Sequence, residues 1–99
     1  MNRQPHTARP AAEELAAAVG WYEDRRAGLG SEFFDAIVRT LNRIAEVPEA
    51  GSPFRDLNAR RMLVAGFPYQ VVYRIDSDES RVIAFAHLKR RPGFWRHRR

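Results

Sequence analysis

The sequence predicts an α+β domain, with an N-terminal helical hairpin packed on one face of a small antiparallel sheet. Three observations carry this reading. Apolar residues recur at helical spacing in the first half and at two-residue spacing in the second, the switch falling near Pro48. Gly28 and Gly30 bracket Leu29 between two helical stretches, a link short enough to make them antiparallel neighbours. Polar Asp76-Ser77-Asp78-Glu79-Ser80 separates two strand-like runs, the signature of a hairpin. Helices first and strands after favour a layered α+β arrangement.

Thr7 and Ala8 suit a short edge strand. The first helix is predicted over 10–26. Pro10 fits the first turn, where a backbone N–H has no intrahelical partner. Glu13 and Glu14 are expected in that turn, at the positive end of the helix dipole. Ala12, Leu15, Ala16, Val19 and Tyr22 form its apolar stripe, with Trp21 and Tyr22 as core aromatics. The second helix is predicted over 31–47, with Phe34, Ile37, Val38, Leu41, Ile44 and Ala45 on one stripe and Pro48 ending it. Residues 48–58 read as loop. Strands follow at 60–64, 69–76 and 81–88. In the central one, Tyr69, Val71, Tyr73 and Ile75 share one face, and Gln70, Val72 and Arg74 share the other.

The 99 residues suffice for one domain spanning 1–99, and 44% hydrophobic content fits a globular chain. Cysteine is absent, so neither disulfides nor thiolate chemistry is available. The first ten residues hold no apolar signal segment, and no apolar stretch is long enough to span a bilayer. A cytoplasmic protein with no membrane partner is expected. The net charge of +5 belongs to a basic tail, 89–99, which carries Lys89, Arg90, Arg91, Arg96, Arg98 and Arg99 without an acid. Such a segment attracts phosphate or an acidic partner.

A series of motifs stands in order along the chain. Trp21-Tyr22-Glu23, Gly28-Leu29-Gly30, Phe33 or Phe34, Val38, Leu41 and Ile44 precede Pro48. Arg61, Phe67-Pro68-Tyr69, Val72-Tyr73-Arg74-Ile75, His87 and Arg91-Pro92-Gly93-Phe94-Trp95 follow it. The series resembles the RelE/ParE toxin superfamily over about residues 10–95. That resemblance implies the toxin of a type II toxin–antitoxin pair, neutralised by a cognate antitoxin that wraps it with a helix and an extended segment. It also implies one of two targets. ParE-like members poison DNA gyrase, whereas RelE-like members cut mRNA on the ribosome without a metal. No cofactor or metal is expected.

Metal-free RNA cleavage needs a base for the 2′-OH, a cation for the phosphorane and an acid for the leaving oxygen. The tentative catalytic residues are His87, Arg61 and Arg91. Arg60, Arg61, Lys89, Arg90, Arg91 and Trp95 are the expected target- or phosphate-binding residues, gathered at one end of the sheet. The structural reading of His87, which the lone histidine favours, is a partly buried histidine hydrogen-bonded at the sheet's end. Two departures weigh against a nuclease. Leu63-Val64-Ala65 stands where RelE-like enzymes place an arginine, and Trp95 has no hydroxyl where relatives carry a tyrosine. The sequence therefore leans to a ParE-like toxin or one of unassigned target. An mRNA endoribonuclease and an inactive homologue that only binds antitoxin are the alternatives.

Overall fold

Where helical periodicity gives way to strand periodicity, the chain passes from a helical pair to a five-stranded sheet beneath it. The computed structural model describes residues 4–54, 58–77 and 79–98. A short strand, β1 (His6–Thr7), leads into α1 (Arg9–Arg25) and α2 (Leu29–Glu46). A 3-10 turn at Pro48–Ala50 precedes β2 (Ser52–Phe54), β3 (Ala59–Leu63), β4 (Tyr69–Asp76) and β5 (Glu79–His87). The order is β1-β5-β4-β3-β2, with β4 at the centre. The pairs from β2 to β5 are antiparallel, but β1 joins β5 in parallel, so the sheet is mixed. Parts of the expected 48–58 loop and 76–80 turn, residues 55–57 and Asp78, lie outside the described residues, as do residues 1–3 and Arg99.

The helix-to-helix turn is built by one carboxylate. Glu23 Oε2 accepts the Gly28 N–H and Oε1 accepts the Gly30 N–H, both at 2.9 Å. These are two amide groups at the start of α2 that no helical carbonyl can reach. Gly28 sits at φ 91°, a conformation that suits glycine. A Cβ at Gly30 would stand 2.8 Å from the Val19 carbonyl oxygen, so the helices approach there at backbone distance.

Both helical stripes are rotated from their expected positions. On α1 the buried residues are Ala11, Ala18 and Tyr22, with Leu15 and Val19 partly covered, while Ala12 and Ala16 are exposed. On α2 the buried aromatic is Phe33, and Phe34 is 45% exposed. The residues 33, 37, 41 and 44 keep helical spacing, whereas Phe34 lies one step, about 100°, around the axis. Trp21 is likewise 52% exposed rather than core. No acid occupies the first turn of α1, because Glu13 and Glu14 come one turn later.

Residues 48–54 hold more regular structure than their prolines and glycine suggest, a 3-10 turn and then β2. Pro53 occupies the edge strand β2, where an absent N–H costs no ladder bond. Tyr73 fixes the turn before it: its hydroxyl donates to the Pro48 carbonyl at 2.6 Å and accepts the Gly51 N–H at 3.0 Å.

Strand β4 alternates as expected. Val71 and Tyr73 meet Phe33, Ile37, Leu41 and Ile44 in the helix-side core, with Tyr69 and Ile75 packed against it. Val72 faces the second side. In β5 the register slips, Val72 pairing Ala84 and Tyr73 pairing Val82, so Ile83 is an extra residue. The bulge turns Ile83 to the second side beside Ala84, while Phe85 keeps the helix side. Phe85 and His87 thus share the helix side while Ile83, two residues before Phe85, does not.

The second face has a core of its own. Ala59, Val72, Ile83, Ala84 and Trp95 are buried there, with Phe54 and Phe94 against them. Trp95 is 1% exposed and arrives from the chain beyond β5. The segment around it is part of the fold, not a solvated tail.

Candidate functional site

The sheet divides the expected cluster: His87 and Arg61 fall on opposite faces, and Trp95 is buried. Arg61 pairs with Val72 and lies on the second face, where Nη1 meets Gln70 Oε1 at 3.5 Å. His87 pairs with Tyr69 on the helix side, their rings 5.3 Å apart. Trp95 is packed in the second core, Phe54 lying 4.9 Å from it ring to ring, and offers no open face for a base. The expectation of a surface aromatic at Trp95 is thus corrected by its burial. Arg60 is committed to structure, donating through Nη1 to the carbonyls of Glu49 at 3.0 Å and Gly51 at 2.8 Å. Lys89, Arg90 and Arg91 follow β5 closely and are exposed.

His87 is half-buried, and its Nδ1 accepts the Lys89 backbone N–H at 3.0 Å. With Nδ1 used as acceptor, the neutral ring carries its hydrogen on Nε2 and presents a donor there. A general base needs the reverse arrangement at the reacting atom.

Glu14 is the organising residue that sequence reasoning assigned elsewhere. Its Oε1 accepts the Phe85 N–H at 3.2 Å and Arg98 Nη1 at 2.9 Å. Its Oε2 accepts Arg98 Nη2 at 3.1 Å and Arg90 Nη1 at 3.2 Å. Arg98 is therefore held by both carboxylate oxygens, the strong two-point geometry for this pair. Arg98 also donates to the Ile83 carbonyl at 3.0 Å. Beyond the two-residue pairing with β1, two polar groups on the open side of β5 are thus met by side chains. Arg74 completes the fastening through hydrogen bonds to the carbonyls of Arg98 and, at 3.3 Å, Arg96. Arg90 lies 3.5 Å over the Phe94 ring. The signal for Glu14 was present: an acid at position 14 stands in the same buried stripe as Ala11 and Ala18.

Beside this network, α1 and the ends of β4 and β5 enclose a groove of about 500 Å³, lined among others by Ala18, Trp21, Tyr69, Phe85, His87 and Arg90. Exposed Trp21 forms its rim, with the Arg25 guanidinium 3.9 Å over its ring. Burial raises the pKa of Tyr22 and of Tyr69 above the usual tyrosine value, with the Glu14 charge adding to the rise at Tyr69. Both hydroxyls stay protonated near neutral pH. Among the described residues, no group of His, Cys, Asp and Glu side chains is arranged to hold a metal. No described helix is long and apolar enough to cross a membrane.

A helical pair over a five-stranded sheet, with an apolar groove beside a carboxylate-anchored basic segment, defines a small two-layer α+β domain. The family model of the ParE toxin of the type II toxin–antitoxin system parDE matches residues 7–92. The chain belongs to that toxin family. Among solved structures it is similar to a chain of the chromosomal ParDE toxin–antitoxin system from P. aeruginosa, with a TM-score of 0.77 and 18% identity over 85% of this chain and 94% of that one. At that identity the likeness speaks for the fold. No curated protein sequence matches the chain.

Proposed function

We propose that this protein is a growth-inhibiting toxin that poisons DNA gyrase by binding it, and that a cognate antitoxin holds it inactive. The observation that carries the binding reading is the separation of the groups an RNA-cleaving site would need. His87 lies on the helix side, Arg61 on the opposite face, and Trp95 inside the second core. Membership of the ParE family supports the same side of the choice. A poison that acts by binding requires no proton shuttle.

The groove beside α1 suits the antitoxin. It is mostly apolar, open along one helix, and rimmed by an exposed tryptophan, a residue type enriched among energetic anchors of interfaces. An amphipathic antitoxin helix fills such a groove with apolar side chains at helical spacing. The P. aeruginosa relative comes from a toxin–antitoxin system, which agrees with a partner of this kind.

The test is direct. The purified protein is added to gyrase supercoiling reactions and, separately, to a cell-free translation reaction with mRNA. Inhibited supercoiling with intact mRNA is expected. Cleaved mRNA with normal supercoiling would overturn the proposal in favour of the endoribonuclease, and inhibition of neither would leave an inactive antitoxin-binding homologue.

A further inference from the structure

The structure sorts the basic residues of the second half into two sets. Arg74, Arg90 and Arg98 are spent on Glu14 and on backbone carbonyls, and Arg81 pairs with Asp76 at 3.4 Å. Arg61, Lys89 and Arg91 are exposed and carry no ion pair to a described residue. Arg61 stands two residues from Leu63 on β3, and Lys89 and Arg91 follow Leu88 in the chain; these leucines are the large exposed aliphatic side chains of the sheet end. Leu63 is 61% exposed and Leu88 is 46% exposed.

Register places Arg61 and the two leucines together, and Lys89 and Arg91 lie in the exposed segment that follows. Ala59 is buried in the second core, so alternation along β3 sends Arg61 and Leu63 to that same face. Leu63 pairs with Gln70, and Gln70 with Ala86, two ladder steps of about 10 Å in all. The Leu88 N–H extends the ladder to the Pro68 carbonyl, which carries Leu88 to the face of Ala86, with Lys89 next in line. Gln70 and Ala86, between the leucines, are buried at 5% and 2%. The Trp95 segment packs over the middle of this face, against Ala59, Val72, Ile83 and Ala84, and at this end Arg61, Leu63 and Leu88 stay exposed. The sequence holds no acid in 57–75 or 80–99, so no carboxylate from those strands neutralises the patch.

We propose that this open end of the second sheet face, built from Arg61, Leu63, Leu88, Lys89 and Arg91, is the surface that grips the toxin's target. Its occupant is a polypeptide surface bearing acidic side chains around an apolar patch. Charge complementarity selects the acids. The two leucines select protein over nucleic acid, since a phosphate backbone gives exposed aliphatic side chains nothing to cover. The surface lies across the sheet from the groove assigned to the antitoxin. In naming gyrase as the protein that supplies the acidic surface, the inference rests on the proposed function.

The experiment compares the wild type with Arg61→Glu/Lys89→Glu/Arg91→Glu and, separately, with Leu63→Ser, each first shown to melt as the wild type does. Binding to purified gyrase holoenzyme, binding to a short DNA duplex and growth inhibition in cells lacking antitoxin are measured for all three. The charge-reversed protein is expected to bind gyrase at least tenfold more weakly and to lose toxicity, and Leu63→Ser to weaken binding several-fold. If the wild type does not bind gyrase, the gyrase reading falls, and the surface stands or falls by whether the folded variants lose toxicity. Folded variants as toxic as the wild type would overturn the surface. Duplex binding by the wild type that the charge reversal abolishes, with Leu63→Ser unchanged throughout, would overturn the polypeptide occupant and make nucleic acid the ligand.

Discussion

The two faces of the sheet are held by different means. On the helix side, many medium-sized side chains from α1, α2, β4 and β5 share one core, and Tyr22, Phe33, Phe67 and Tyr69 cross their rings within it. On the second side the cover depends on one large residue, Trp95, fastened from outside by Arg74, Arg98 and Glu14. The first arrangement is redundant and the second is keyed. A keyed layer fails when its key or its fastening is removed, whereas a redundant one degrades by increments.

The sharpest way to break this contrast is Trp95→Ala. Removing a fully buried tryptophan costs about 3–5 kcal/mol, a large part of the stability of a domain this size. Denaturant titration should show that loss. A change below about 0.5 kcal/mol would mean the segment is frayed in solution. Truncation after Leu88 removes Trp95 too, so it tests folding rather than the basic charges. Exposed Lys89 and Arg91 are therefore better tested by substitution than by truncation.

Leu41→Ala on the helix side should cost roughly 2–5 kcal/mol, toward the lower end where neighbouring side chains relax into the space. Leu41 is 7% exposed and opposes Val71 and Tyr73 in the same core. Matched unfolding curves for the two variants compare the faces directly.

Glu14→Gln should cost less, about 1–3 kcal/mol, because it weakens charged hydrogen bonds without opening a cavity. Its distinctive effect should be on the second face: faster tryptic cleavage between Arg91 and Arg98 while the helices stay intact, read by mass spectrometry of timed digests. Cleavage at the wild-type rate would show that Glu14 does not fasten the segment.

The smallest effect is alkaline. Burial raises the Tyr73 pKa above its ordinary value of 10.0, although the Gly51 amide and Arg60 pull it down. The folded state therefore holds that proton more tightly than the unfolded chain. The stabilisation is complete below about pH 10 and is lost as pH rises from there through the folded value. Melting temperatures should fall above pH 10, and Tyr73→Phe should flatten the fall. An unchanged slope in Tyr73→Phe would assign the decline to Tyr22, Tyr69 or other groups.

The same contrast explains what the sequence made legible. The helix-side core is built from local periodicity, so its elements were readable to within a few residues, and β4 was placed at its observed bounds. Errors of one position, Phe34 for Phe33, arose where two adjacent aromatics both fit a stripe. The second core was not readable, because Trp95 reaches it through the fold rather than through any pattern near it. Glu14 was misread for a similar reason, its partners Phe85, Arg90 and Arg98 all lying more than seventy residues away. The bulge at Ile83 rotates one residue out of an otherwise regular alternation, and no local signal marks it. The expected basic site was split by the parity of strand positions in Arg61 and His87, which only the register between β3, β4 and β5 reveals.

The central claim is that this ParE-family chain acts by binding and not by proton transfer, and His87 tests it most directly. His87→Ala should leave supercoiling inhibition and growth inhibition within about twofold of the wild type, since the loss of one half-buried ring at a strand end removes no chemistry. Loss of mRNA cleavage by about two to four orders of magnitude in the same variant, with ribosome binding intact, would contradict the claim.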